Sequence, residues 1–366
     1  MAYDTMVSNG LEDVVAAATR LSHVDGDAGE LIIAGYPVGE LAANATFEET
    51  TWLLWHGERP APGELDSFRA DLAAQRALPG ATLALLRECA HARLDTMDAL
   101  RIGLGTVSLV SQKPTAIVAL APTIVAAFHR LRAGEEPIAP RAGLGHAANY
   151  LYMLSGEAPE GERVRALETY LNTVVDHGLN ASTFTCRVIT STGSDLVSAV
   201  VGAVGALKGP LHGGAPGPAL ETVFEIGVAS RAESVLRGKI ERGDRLMGFG
   251  HRVYKVRDPR ADVLAAAAER LYTRAGDMQL YRLARDVEAT ALRLLEEYKP
   301  GRRLQTNVEF YTALLLHGLG LDVPLFTPTF AISRVSGWIA HALEQREANR
   351  LIRPRSEYVG PRDRRW

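Results

Sequence analysis

The sequence predicts a mostly α-helical protein with one short β arm near its N-terminus. Apolar residues recur at helical spacing through most of the chain. Capping and stop residues stand at the ends of those stretches, and strand signal is confined to one segment. Residues 30–35 (ELIIAG) lie between Asp-Gly and Gly-Tyr-Pro punctuation and read as part of a hairpin arm. Thr46-Phe47-Glu48-Glu49 is a capping box ahead of TTWLLWHG, and Gly57 stands where that helix should stop. The longest apolar stretch, residues 115–128, contains Pro122, which should break it, and is too short to span a bilayer. In Leu196–Leu207, the residues Gly202, Ala203, Gly205 and Ala206 would let another helix approach closely, within the chain or across a subunit boundary. The strongest internal punctuation follows at residues 209–218, GPLHGGAPGP. From Gln279 to Tyr298 the residues Leu280, Leu283, Val287, Ala291, Leu294, Leu295 and Tyr298 form a helical stripe that Pro300-Gly301 ends. Ile332, Val335, Ile339, Ala342 and Leu343 repeat the pattern near the C-terminus. No segment alternates strand with helix, so a doubly wound parallel sheet is not expected.

A chain of 366 residues suggests about two domains. Forty Lys+Arg against 43 Asp+Glu leave a net charge of −3, which argues against nucleic acid or a membrane surface as the partner. Hydrophobic residues at 47% supply a sizeable core and exclude wholesale disorder. Cys89 and Cys186 cannot build a disulfide framework, which fits a reducing compartment. MAYDTMVSNG lacks the basic and apolar regions of a secretory signal, so a cytoplasmic protein is expected.

Most of the ten histidines sit in ordinary helical or turn contexts and read as surface or core residues. Three have unusual neighbours. His177 lies in the polar cluster DHGLNASTFTCR, His212 in GPLHGGAPG, and His251 in MGFGHRVYKVRDPRA, ahead of Arg252, Lys255, Arg257 and Arg260. Cations beside glycines with free backbone amides suit carboxylates or phosphates. A P-loop, a dinucleotide fingerprint, zinc-ligand spacing and a Gly-x-Ser-x-Gly elbow are all missing from the sequence. Composition and spacing alone therefore imply an anion-handling α-protein with glycine-cradled histidines.

GPLHGGAP, MGFGHRVYKVRDPRA, TNVEFYTALL, LFTPTFAISRVSGWIAHALEQ and IRPRSEYVGP, in that order, resemble the landmarks of the citrate synthase family. Upstream, HVDGDAGELIIAGY, NATFEETTWLL, MDALR, AANYLYMLSGEAP and DHGLNASTFTCRV match the same family, so the resemblance covers nearly the whole chain. It implies an all-α, two-domain fold and a homodimer. Residues 1–212 would begin the large domain, 213–314 would form the small one, and 315–366 would return to the large one. The active site would lie in the cleft between them. The implied reaction condenses acetyl-CoA with oxaloacetate and hydrolyses the thioester to citrate and CoA, with no metal or redox cofactor; the acyl-CoA is a substrate.

By the same resemblance, His212 matches the group that hydrogen-bonds the acetyl carbonyl oxygen, where a fixed donor stabilises the enolate. His251 matches the group that polarises the oxaloacetate ketone, and Glu309 stands at the catalytic base. His177, Arg260, Arg334 and Arg353 match the groups that hold the dicarboxylate, a task suited to the guanidinium fork. The match to Arg353 comes from the partner subunit. Met247, Gly248, Phe249 and Gly250 match the loop that receives CoA, with Lys255 and Arg257 expected on its phosphates. Arg334 is expected on an amphipathic helix. Two positions depart from the pattern: Glu309 replaces the usual Asp, and Ala34 stands where many members have Arg. The departure at Glu309 leaves room for a catalytically weak oxaloacetate- and CoA-binding relative. Propionyl-CoA as acyl donor, giving 2-methylcitrate, is the other alternative.

Overall fold

The computed structural model describes residues 9–11, 14–109, 111–213 and 216–366. Residues 1–8, which hold most of the MAYDTMVSNG segment, and 214–215, beside the expected 212/213 boundary, lie outside the described residues. Sixteen α-helices and one small sheet make up the regular structure described.

The arm is a three-stranded antiparallel sheet of β1 (Ser22–Asp25), β2 (Glu30–Ile33) and β3 (Tyr36–Pro37), with Val24 opposite Leu31. Asp25 closes the first turn by accepting from the amides of Asp27 and Ala28. Leu31 and Ile33 alternate into the core. The tip of the turn pairs with a distant loop: the Lys255 amide donates to the Gly26 carbonyl at 2.8 Å. A Cβ on Gly26 would stand 2.2 Å from the Val253 carbonyl oxygen, so only glycine permits this approach.

The capping box forms as expected. Thr46 accepts from the Glu49 amide, Glu49 accepts from the Thr46 amide, and the helix Phe47–His56 ends on Gly57 in the left-handed region. Pro122 does not break its stretch. The helix Pro114–Arg132 runs through it for 19 residues, and every residue from 115 to 128 is buried. It is long and apolar enough to cross a membrane; packing on all sides holds it together across the lost backbone bond. The helices Ala181–Ser191 and Leu196–Leu207 pack so closely that a Cβ on Gly202 would meet Ile189 Cδ1 at 2.2 Å, so the contact at Gly202 is internal packing.

The helix Gln279–Tyr298 has the expected bounds, but its inward face is shifted. Tyr281, Ala284 and Glu288 are buried, whereas Leu280 and Leu283 are half-buried. Glu288 is accepted into the interior because Thr306, Tyr311 and Arg257 all donate to its carboxylate. The helix Phe326–Glu347 is not amphipathic. Most of its 22 residues are buried, including Arg334, Trp338 and His341, as expected of a helix surrounded by others.

Candidate active site

The helix Gly161–Val174 ends in the buried segment that carries Asp176 and His177. Gly337 lets the helix Phe326–Glu347 press against this segment; a Cβ there would lie 2.2 Å from the Val175 carbonyl oxygen. Asp176 accepts from Ser22 of β1 and faces His341 Nε2 at 3.1 Å. Burial would raise its pKa, but His341, Ser22 and Arg334 together hold it below the usual carboxylate range. The Val174 carbonyl accepts from Arg334 Nε at 2.8 Å. His177 turns inward, with Nε2 3.1 Å from the Tyr254 hydroxyl. Burial, then Arg260 and Arg334, push its pKa well below normal, so the ring is neutral.

Asn180 caps the helix Ala181–Ser191 by accepting from the Thr183 amide. His212 docks on the same helix end, with Nε2 2.8 Å from Ser182 Oγ and 3.4 Å from the Ser182 amide nitrogen. Trp338 Nε1 donates to that hydroxyl from the opposite side at 3.2 Å. Burial and the Arg334 charge lower the His212 pKa to about 4.

His251 follows a loop in which Gly248 and Gly250 both have positive φ. That loop is zipped to residues 305–307: the Gly250 amide donates to the Gln305 carbonyl and the Asn307 amide to the Gly248 carbonyl. His251 Nδ1 accepts from the amides of Val253 and Tyr254 at 3.0 and 3.1 Å. Two donors on Nδ1 fix the neutral ring with its proton on Nε2. Burial and Arg260 lower its pKa to about 4, so it stays neutral at pH 7. Its Nε2 lies 3.4 Å from Arg260 Nη2. Two donors therefore face one gap, an arrangement that an incoming oxygen anion completes.

Arg260 is clamped by the Asp258 carboxylate through Nε at 3.0 Å and Nη2 at 2.8 Å, which leaves Nη1 without a hydrogen-bond partner among the described residues. Arg334 is more exceptional. It is 2% exposed, its Nε is held by a carbonyl, and it has no ion pair among the described residues. Burial lowers its pKa to about 10, and the Arg260 charge adds to the depression against the opposing pull of Asp176. The Phe330 ring lies 4.6 Å beneath the guanidinium. A buried cation without a salt bridge is costly, and the Asp176 charge beyond salt-bridge distance offsets only part of that cost.

Glu309 sits in the first turn of the helix Val308–Gly318, where Asn307 caps the helix by accepting from the Glu309 amide. Asn307 also donates to the Gly250 carbonyl at 2.8 Å, tying this helix to the glycine loop. Asp258 Oδ2 accepts from the Val308 amide. Burial raises the Glu309 pKa to about 7, despite the opposing charges of Arg260 and Arg245. The Arg260 charge thus acts on His177, His251 and Glu309, and that of Arg334 on His177 and His212. Six expected residues share one neighbourhood.

The remaining expected residues lie differently. Arg353 is exposed in the extended tail, where the Ile352 amide donates to Ser191 Oγ at 3.0 Å. Ser191 ends the helix on whose N-terminus His212 docks, so the tail is anchored about 13 Å along that helix from Ser182. Met247 is half-buried and Phe249 buried in the glycine loop. Lys255 is exposed, and its amine donates to the Arg252 carbonyl at 3.3 Å. Arg257 is held by Asp262 and Glu288, so its guanidinium is already paired. Sequence reasoning missed Tyr254, Asp258 and Ser182 as site-builders. Asp258, two residues before an expected arginine and at a helix N-cap, was the one with a readable signal.

The fold and this neighbourhood define an all-α protein in which two buried arginines and three neutral histidines converge around a buried carboxyl. A family profile described as "Citrate synthase, C-terminal domain" matches residues 10–355. The chain is 41% identical over 373 residues to a citrate synthase of Haloferax volcanii, covering 98% of this chain and 97% of that protein. It is 39% identical over 371 residues to a 2-methylcitrate synthase of Mycobacterium tuberculosis, covering 98% and 92%. The solved ternary complex of carboxymethyl coenzyme A and oxaloacetate with citrate synthase from Thermoplasma acidophilum superposes with a TM-score of 0.89 at 30% identity, over 99% of this chain and 98% of that one. The chain belongs to the citrate synthase family of acyl-transferring enzymes.

Proposed function

We propose that the protein condenses acetyl-CoA with oxaloacetate and hydrolyses the product thioester to citrate and CoA. The buried Arg334 guanidinium, which makes no salt bridge among the described residues, is the observation that carries this reading. Together with Arg260 and His177 it meets the requirement of a dicarboxylate. The His251 Nε2–H, set by two amides on Nδ1, polarises the ketone of oxaloacetate.

Glu309 takes a proton from the methyl carbon of the acyl thioester. The electron pair of that C–H bond moves onto the thioester oxygen, which the His212 ring stabilises. Ser182 anchors that ring at Nε2 through its hydroxyl at 2.8 Å and its amide at 3.4 Å. The enolate carbon then attacks the ketone carbon, the new C–C bond forms, and the ketone oxygen takes up a proton at His251. Water adds to the thioester carbonyl, the C–S bond breaks, and CoA leaves as the thiol. A carboxyl with a pKa of about 7 suits this proton abstraction near neutral pH.

The loop Met247, Gly248, Phe249 and Gly250 receives the CoA arm in this reading, and exposed Lys255 is the cation free to meet its phosphates. Two copies assemble, with Arg353 of each tail completing the site of the other. Residues 213–314 act as the small domain, and the enzyme works in the cytoplasm. Thiol release by the purified protein, compared for acetyl-CoA and propionyl-CoA with oxaloacetate, tests the assignment. Preference for the acetyl thioester is expected; preference for propionyl-CoA would make it a 2-methylcitrate synthase. One methylene in an apolar pocket is worth only about 1–3 kcal/mol. Oxaloacetate binding without thiol release would leave a binding protein.

A further inference from the structure

Tyr254 is the residue on which the anion-handling groups converge. Its amide donates to His251 Nδ1 at 3.1 Å, and its ring lies 4.8 Å from the His251 ring between centroids. The Arg260 guanidinium stands 5.8 Å from the ring centroid. Its hydroxyl reaches His177 Nε2 at 3.1 Å, the one hydrogen bond that oxygen makes among the described residues. The residue is 2% exposed.

We propose that Tyr254 is a positioning residue for oxaloacetate, its hydroxyl forming with His177 a two-member relay that leaves one hydrogen-bond donor aimed at the dianion. The inference rests on the oxaloacetate site proposed above. A neutral imidazole carries one N–H and a phenol one O–H. If the hydroxyl donates to Nε2, the His177 proton sits on Nδ1 and that N–H is left over. If Nε2 donates to the hydroxyl, the O–H is left over. Either way one donor remains, and neither ring nitrogen needs to be charged. Without the hydroxyl, the imidazole loses its side-chain hydrogen bond and keeps its edge-on packing against the His251 ring, 5.6 Å between centroids.

Tyr254→Phe removes one oxygen while keeping the ring on His251 and beneath Arg260. Calorimetric Kd and steady-state KM for oxaloacetate should rise about tenfold, the net value of one hydrogen bond. The acyl-CoA KM, and kcat at saturating oxaloacetate, should change less than about threefold. A double-mutant cycle with His177→Ala supplies the readout that a merely structural role would not move: in that background the Tyr254→Phe effect should shrink well below its value in the wild type. Additive losses, or equal loss in kcat and both KM values, would overturn the relay. Arg334→Leu is the reference. If it abolishes oxaloacetate binding while Tyr254→Phe changes nothing, the site reading stands and the Tyr254 inference fails. If both variants bind as wild type, the site reading fails with it.

Discussion

Replacing Glu309 by Gln should stabilise the protein at alkaline pH while abolishing turnover. Burial holds this carboxyl at a pKa of about 7 against an ordinary 4.5. Between those values the folded state binds more protons than the unfolded one, so the carboxyl favours folding below pH 4.5 and this contribution is lost as pH rises through 7. Across the full window the difference is about 3 kcal/mol at pH 8.5, and roughly 1.4 kcal/mol at pH 5.5. Glutamine keeps the shape and never ionises. Thermal melts of the two proteins should therefore separate by about 4 °C at pH 8.5, with the gap shrinking by more than half at pH 5.5. Thiol release should be absent in the variant, and the wild-type rate should fall on the acid side of about pH 7. His212 and His251, both near 4, stay neutral through this range and do not shape that limb. A melting gap that is zero, reversed or independent of pH would refute the argument that the base is kept poised by burial; turnover by the variant would remove Glu309 as the base.

Arg260→Leu or Arg334→Leu should raise oxaloacetate KM by roughly 1.5–3 kcal/mol for each charged hydrogen bond lost, with acetyl-CoA KM affected less; steady-state kinetics with each substrate varied checks it. Mixing inactive Arg353→Leu and inactive His212→Ala subunits should restore activity, because one hybrid site then carries neither defect; no recovery despite subunit exchange shown by mass spectrometry would put Arg353 in its own subunit's site. Glu309→Asp shortens reach by one methylene, and a shift of about 1 Å in a catalytic group lowers kcat by on the order of 10²-fold; a rise in kcat would mean the site is a detuned aspartate site. Gly337→Ala should shift the Asp176–His177 segment, since its Cβ would stand 2.2 Å from the Val175 carbonyl oxygen; loss of both melting temperature and oxaloacetate affinity is expected.

Local rules made several elements readable. The Thr46–Glu49 box, the Gly57 stop and the bounds of Gln279–Tyr298 depend on residues a few positions apart, and all formed. Pro122 misled because the penalty for an interior proline is local, whereas the packing that overrides it comes from helices far away in sequence. Glu288 was invisible for the same reason: a carboxylate in a helical stripe looks solvated until Arg257, Thr306 and Tyr311 are seen around it. The histidines and arginines of the candidate site stood out because they sit in dense motifs. Tyr254 did not, since an aromatic in a loop reads as packing until its hydroxyl is found against His177, 77 positions upstream. The burial of Arg334 on all sides could not be read from a helix whose apolar spacing resembled a surface pattern.

Under the function proposed above, the buried Arg334, which makes no salt bridge among the described residues, also couples the stability of the folded chain to its dicarboxylate. A ligand confined to the native state stabilises it by about 2.7 kcal/mol at a hundredfold excess over its Kd. Such a gain lowers the population of the protease-sensitive open state about a hundredfold.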